Sequence, residues 1–445
     1  MLRDDQRIEE IRLVEVGAFD DSTIKFPKNA SRDSAEIHIF TGENGSGKST
    51  LLYALASLFL VPNSPDHPLS DLRLRFRSDD AQISANYFGH KYHVGKNALN
   101  LSGGLLSGAF LGSAMPDALR STLLNFQNVR NRHDGKSVSV PFLPLAYSGQ
   151  RSLSATESLV IREIVESPLQ NHLSFGASVF PERILQWIAN IETQSALALK
   201  DKDQKAADSY RDALNALTSA VNEICEDNYS FALQRKPLNV VVKRADLELD
   251  FDVLPDGLKS IISWIADVLM RMDRLMWANP DRPLLHQALI LFLDEIDIHL
   301  HPKWQRRVLP VVQKLFPNAQ IFVSTHSPFV VGSVRDAWVY DLDKKGKAII
   351  AKPASAGHSY EVVLEDIFGI TEHFDTESQK LLMRLKEARR GLLQDSSLST
   401  DKYIDVARQL SSRSEELDAI VSADIRQLAK HGRKIELTEA AIGPV

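Results

Sequence analysis

Three short stretches of this 445-residue chain carry residue types in an order that can handle a phosphate. The first is GENGSGKS, Gly42 to Ser49, followed by Thr50. It fits the spacing G-x-x-x-x-G-K-[ST] in full. Glycine tolerates backbone conformations that other residues resist, so the N–H groups of Gly42, Glu43, Asn44, Gly45, Ser46 and Gly47 can turn inward onto phosphate oxygens. A helix beginning at Lys48 adds a favourable dipole. In such a loop Lys48 reaches the β- and γ-phosphates of ATP. Ser49 ligates Mg²⁺, with Thr50 beside it.

The second stretch is LILFLDEID, where an apolar run ends in Asp294 and Glu295. Asp294 suits Mg²⁺ ligation, directly or through water. Glu295 points elsewhere and can polarise an attacking water. The third is FVSTHSP, which sets His326 at the end of another apolar run. A histidine there can touch the γ-phosphate and distinguish ATP from ADP. Each stretch also has a plainer reading, as a glycine turn, a capped surface turn or a structural histidine. Three together on similar strand ends favour the chemical one.

Positioning them requires strands that end at one place. RIEEIRLVEVGAFDDSTIKF reads as one or two strands leading into the buried strand AEIHIF, and STLLYALASLFL reads as a helix after the loop. A short buried strand is expected over Phe142–Tyr147. Residues 181–226 have helical spacing with a polar break at KDKDQK, and LNVVVKRADLELDF alternates as a strand pair. GLKSIISWIADVLMRMDRL is a long helix, ALILFLDEID a buried strand, PKWQRRVLPVVQKLF an amphipathic helix and AQIFVSTHSP a further buried strand. Alternating strands and helices indicate an α/β fold, a mostly parallel sheet with helices on both faces. The expected division is 1–150 and 236–353 as two halves of one head, 151–235 as a helical insertion, and 354–445 as a helical tail.

The totals narrow the class. A hydrophobic fraction of 44% and a charged fraction of 25% are those of a globular chain, and a net charge of −6 exerts no global pull on nucleic acid or membrane. The single cysteine, Cys225, excludes an intramolecular disulfide and a CxxC zinc site. The charged start MLRDDQRIEE lacks the apolar core of a signal peptide, and no run nears the roughly 18 apolar residues that span a bilayer. The expectation is a cytoplasmic protein with no membrane partner.

FTGENGSGKSTLLYALASLF together with LFLDEIDIHLHPKWQRRVLPVVQKLFPNAQIFVSTHSPFVV resembles the ABC-type ATPases of the RecF, SMC and OLD group. Within it the chain is most similar to the PtuA-like ATPases of bacterial defence systems, those of Septu and of certain retrons. The resemblance covers residues 8–60 and 250–370 and leaves the segment between them uncovered. It implies a P-loop NTPase head, Walker A over Gly42–Thr50, Walker B ending in Asp294 and Glu295, a D-loop over Asp297–His301 and a switch histidine at His326. The 246 residues from Lys48 to Asp294 exceed a transporter's spacing and fit an interrupted head.

The resemblance also implies closure as a homodimer or higher homo-oligomer, with a signature sequence from one subunit meeting the ATP of the other. LSGGLLSG, Leu101 to Gly108, spells the letters but sits too early. Leu254-Pro255-Asp256-Gly257 sits where the signature belongs, with Pro255 in place of the usual serine. Proline cannot donate a hydrogen bond. Gly257, the helix N-terminus and Lys259 or Ser260 can still serve an anion, which suggests slow hydrolysis. Gln150 is the candidate Q-loop residue and Mg²⁺ contact, with Arg151 beside it; a polar turn explains both equally well. Trp187 with its apolar neighbours reads as core, and RLKEARR at 384–390 as a solvated face, with DNA or partner contact as the lesser reading.

The leading function is an ATPase that dimerises around ATP and Mg²⁺ and controls a separately encoded nuclease or toxin in anti-phage defence. That role follows from the resemblance alone. The alternatives are a RecF-like DNA-maintenance ATPase that binds DNA, and a scaffold that holds ATP with little hydrolysis.

Overall fold

The computed structural model describes residues 7–29, 34–59, 74–87, 90–95, 117–131, 138–149, 161–176, 179–342, 348–349, 351–354, 360–368, 374–394, 399–430 and 435. Strands β1 (Ile8–Val16), β2 (Phe19–Lys25) and β3 (Glu36–Thr41) precede α1 (Lys48–Ser57). Then come β4 (Gln82–Tyr87), β5 (His90–Gly95), α2 (Asp117–Asn131) and β6 (Leu143–Tyr147). Helices α3 (Pro181–Lys200) and α4 (Gln204–Cys225) follow, then β7 (Tyr229–Arg235), β8 (Leu238–Arg244) and β9 (Leu247–Asp250). The sequence continues with α5 (Asp256–Asp273), β10 (Leu289–Leu293), α6 (Pro302–Leu315), β11 (Ala319–Ser324), α7 (Pro328–Val331) and β12 (Ala337–Asp341). Last are β13 (Ala348–Ile349), β14 (Lys352–Pro353), α8 (Tyr360–Asp366), α9 (Thr376–Gln394), α10 (Asp401–Ser411) and α11 (Glu415–Lys430).

A six-stranded sheet in the order β14-β12-β3-β11-β10-β6 carries the chemistry. Every pair from β12 to β6 is parallel, and β14 alone runs antiparallel. β6, β10 and β11 are buried at every residue and β3 at all but its first. This is why they read as unbroken apolar runs: a parallel strand covered on both faces has no solvent side to alternate with. The register pairs Leu293 with Tyr147 and Val323, and Ser324 with Phe40. The four strands therefore end together, at the edge where ligands of open α/β sheets sit.

On one face of the sheet Phe292, Phe322, His38, Phe40 and Tyr340 form a continuous aromatic layer. His38 and Phe322 are direct cross-strand partners with rings stacked at 5.1 Å. Phe26 packs edge-on against four of the rings. The opposite ends of the strands are tied by polar groups. Gln320 exchanges two 2.9 Å bonds with the Ile8 backbone, and Arg7 pairs with Glu36. These bonds pin β1 to the parallel sheet.

A second, five-stranded sheet runs β13-β2-β1-β4-β5, antiparallel except for the β13–β2 pair. Helices α3 and α4 form an antiparallel hairpin whose turn falls at Asp201–Asp203, at the polar break. Asp203 caps α4 by accepting from Ala206 N at 3.0 Å. The hairpin lies against the head: α4 packs along α5 and α6, with Lys314 paired to Glu223 at 3.0 Å and Arg307 to Glu226. Trp187 is buried, with its indole N–H donating to Asp273 at 3.1 Å. The small sheet β7-β8-β9 leads into α5, which is buried almost all round.

Residues from Leu364 onward form a separate unit. There α9, α10 and α11 bury Leu381, Leu385, Tyr403, Leu410, Val421 and Leu428 against one another. In the basic run at 384–390, Arg389 pairs with Asp424 at 2.5 Å while Arg384 and Arg390 are exposed.

His172 is fully buried, and its Nδ1–H donates to Leu169 O at 2.7 Å. Burial and the nearby Arg271 push its pKa down to about 3. The unfolded chain takes up a proton near pH 6.5 that the folded chain refuses. Stability from this group is thus present above about pH 6.5 and is lost as pH falls toward 3, by up to about 1.4 kcal/mol per pH unit. Melting curves should show a smaller loss between pH 7 and 5 for His172→Asn, which keeps the donor, than for the wild type.

Candidate nucleotide site

Immediately after β3 the chain enters the glycine loop. Gly42, Gly45 and Gly47 have φ of 140°, 84° and 106°, and Lys48 opens α1 directly. Lys48 Nζ donates to the carbonyls of Gly42 at 2.8 Å and Glu43 at 2.9 Å, which holds the ammonium over the loop. Ser46 Oγ is buried with no hydrogen-bond partner. An orphaned hydroxyl in a glycine cradle beside a lysine fits a bound polyphosphate. Asn44, Gly45, Gly47, Lys48, Ser49 and Thr50 line a cavity of about 390 Å³ that also takes in Glu295 and His326. Residues from three strand ends, far apart in sequence, thus share one space.

Asp294 and Glu295 follow β10. Asp294 is buried, its N–H donates to Tyr147 O at 2.8 Å, and its Oδ1 accepts from Ser324 Oγ at 2.5 Å. Glu295 has φ of 48°, a left-handed conformation that costs a non-glycine residue on the order of 1 kcal/mol. Glu295 lines the cavity. Burial raises its pKa first, and the negative Asp294 and Asp297 raise it further, against the opposing pull of His326 and Lys48. Such a shift suits a carboxylate that accepts a proton from water. His326 is exposed at the cavity wall.

The turn after Glu295 is tied down on several sides. Thr325 Oγ1 donates to Asp297 Oδ1 at 2.6 Å. Gln305 Nε2 donates to Leu300 O at 2.8 Å, and Ser327 Oγ donates to Gln305 Oε1 at 2.6 Å. His301 caps α6 by accepting from Lys303 N at 3.2 Å. Two glycines let other segments close onto this turn. A Cβ on Gly149 would lie 2.8 Å from Glu295 Cβ, and one on Gly257 would lie 2.4 Å from His299 O.

Leu254–Gly257 takes the position ahead of α5 expected of it. Pro255 is the N-cap residue with no side-chain cap, and Gly257 is buried on the 297–301 turn. That close approach gives Gly257 a packing requirement of its own. Ser260 is buried, and Lys259 Nζ donates to Asp252 O at 2.7 Å, so neither is presented to an anion in this conformation. None of these residues lines the 390 Å³ cavity. Gln150, Arg151 and Leu101–Gly108 lie outside the described residues.

The structure adds lining residues that sequence reasoning did not name: Gly17, Ala18 and Arg75. Gly17 and Ala18 form the β1–β2 turn, with Gly17 N donating to Arg75 O at 2.7 Å. The Arg75 guanidinium donates to Thr50 Oγ1 at 2.6 Å and lies 4.6 Å from the Tyr53 ring centre. The antiparallel sheet therefore supplies a wall and a cation to the phosphate loop. The only signal was the arginine-rich LRLRFR, which has no spacing of its own to mark one member.

The donor set fits ATP with Mg²⁺. Among the described residues no cluster of three His, Cys, Asp or Glu side chains forms a cage. Mg²⁺ in P-loop sites needs none, being held by one carboxylate, a hydroxyl, waters and the phosphates themselves. Asp294 and Ser49 are the residues that could hold it. Gly149→Ala should displace Glu295 without touching the phosphate loop. Phosphate release from ATP should fall at least about tenfold while the affinity for a fluorescent ATP analogue stays within about twofold.

The chain is similar to several known proteins. The chain is 25% identical to a protein named "Retron Ec83 probable ATPase" of Escherichia coli, over 82% of this chain and 77% of that one. It is 18% identical to "Septu protein PtuA" of Bacillus thuringiensis, over 96% and 99%. The SMC head solved in complex with the C-winged helix domain of ScpA matches 78% of this chain and 97% of its own at 13% identity, with a TM-score of 0.44. The family profile described as "AAA domain, putative AbiEii toxin, Type IV TA system" matches residues 37–332, and the chain belongs to that family.

Proposed function

We propose that this protein is an ABC-type ATPase that binds ATP with Mg²⁺, closes as a dimer around it and hydrolyses it slowly to control a separately encoded effector. The observation that carries this reading is the convergence of Lys48, Ser49, Glu295 and His326 on one cavity. Mg²⁺, when bound, neutralises phosphate charge and draws electron density from the bond to be broken. Lys48 and the loop N–H groups hold the phosphates. Asp294 and Ser49 hold the ion, Glu295 accepts the proton of the attacking water, and His326 reads the terminal phosphate.

Closure by a second copy is supported by the placement of the signature-like loop. Asp252, Val253, Pro255 and Asp256 are exposed, Val253 at 67%, and none faces the cavity of its own chain. Their exposure leaves them open to contact by another surface. Slow turnover is supported by Pro255 as N-cap residue and by the engaged Lys259 and buried Ser260, which leave that loop with few donors. The same features keep the ATP-holding scaffold as the second reading. The DNA-maintenance reading gains little from α6, whose Arg307 and Lys314 are paired with Glu226 and Glu223. Anti-phage defence is proposed from the sequence resemblance to Septu and retron ATPases, and relatives bearing those names match the chain. No helix among the described residues is long and apolar enough to cross a membrane.

Phosphate release measured on three proteins tests the enzyme reading. The wild type should turn over ATP in the presence of Mg²⁺. Lys48→Ala should lose nucleotide binding, and Glu295→Gln should keep binding while losing at least about a hundredfold in rate. A wild type that binds ATP and never releases phosphate would establish the scaffold instead.

A further inference from the structure

The carboxylate pair is held by a residue that does not itself line the cavity. Ser324 is the last residue of β11 and is fully buried. Its hydroxyl has one proton and can accept in return. The proton goes to Asp294 Oδ1 at 2.5 Å, and the oxygen accepts the Glu295 N–H at 2.7 Å. Its main-chain carbonyl accepts the Ile296 N–H at 3.2 Å. One residue on a neighbouring strand thus holds three consecutive residues of the turn.

That grip is needed where it occurs. Glu295 stands at φ 48°, a conformation the chain leaves readily unless something holds it. Asp294, buried directly before it, must keep its carboxylate fixed at the same time. A hydroxyl placed between them bonds both with a single group, and Ser324 is fully buried. The next residue, Thr325, repeats the device on Asp297 at 2.6 Å, and His326 follows at the cavity.

The geometry points to Ser324 as a positioning residue for the reaction. It sets the Mg²⁺-binding carboxylate and the water-activating carboxylate in one fixed relation, on the same strand end that carries the phosphate-reading histidine. The inference rests on the proposed ATPase reading and deepens it. Movement of His326 on phosphate loss would be passed through two residues to both carboxylates.

The test compares Ser324→Ala, Ser324→Thr and Ser324→Cys in the full chain. Readouts are the affinity for a fluorescent ATP analogue with Mg²⁺ and with EDTA, the kcat and KM of phosphate release, and the melting temperature. Ser324→Ala should bind the analogue in EDTA within about twofold of wild type, because the phosphate loop is untouched. It should lose most of the gain in affinity that Mg²⁺ gives, and kcat should drop at least about tenfold with KM within about threefold. Ser324→Thr, which keeps the hydroxyl, should recover kcat to within about threefold, and Ser324→Cys, a weak hydrogen-bonder of similar size, should not. Wild-type kcat and Mg²⁺ response in Ser324→Ala, or in Ser324→Cys should the alanine variant fail to fold, overturns the proposal. So does a lowered melting temperature with the Mg²⁺ response intact, which marks a structural role only. If the wild type binds ATP with Mg²⁺ but releases no phosphate, the enzyme reading falls; the Mg²⁺ response of Ser324→Ala then still decides whether Ser324 places Asp294.

Discussion

Everything the site can do depends on four parallel strands ending at one edge. β6, β10, β11 and β3 are buried on both faces, and their register brings Tyr147, Leu293, Val323 and Ile39 to the same level. A strand slipped by one residue would turn every apolar side chain of its run to the opposite face. The hydrophobic cost of that slip fixes the register, and the register places the polar residues just beyond it. Asp294 and Glu295, Thr325 and His326, and the glycine loop follow directly on the last residues of β10, β11 and β3. They lie together because the strands stop together.

From that edge inward, the site is built by hydrogen bonds between strand ends. Ser324 bonds the 294–296 turn, Thr325 bonds Asp297, and Gln305 closes the turn from the helix that follows. Close backbone approaches at Gly149 and Gly257 let β6 and α5 press on the same turn. The signature-position helix, the switch strand and the carboxylates therefore share one small segment of chain, 294–301.

Much of this was legible in the residues. Gly42–Thr50, Asp294, Glu295 and His326 lie in local patterns whose context, an apolar run just before, can be read without a fold. The strands β3, β6, β10 and β11 and the helices α1, α3, α4, α5 and α6 fell where apolar spacing put them. The antiparallel sheet was harder. β4, QISANY, is six residues of weak alternation, and β5, HKYHVG, has little apolar content. Their pairing depends on β1, some 70 residues earlier, which no local pattern encodes. Arg75, Gly17 and Ala18 reach the cavity only through that sheet, so they were invisible for the same reason. Ser324 was hidden differently. A serine at a strand end suggests a cap or a turn, and its role appears only when β10 is laid beside β11. The hairpin α3–α4 read as an arm, and its packing on α5 and α6 rests on tertiary contacts of the kind the Glu223–Lys314 pair makes.

The central claim is that one chain's nucleotide site is completed by another. Sedimentation velocity of the Glu295→Gln protein, with and without ATP and Mg²⁺, examines it most directly. The account requires the sedimenting mass at least to double when both are added and to fall back when Mg²⁺ is chelated. A distribution that stays the same in all conditions, in protein shown to bind ATP, would contradict it.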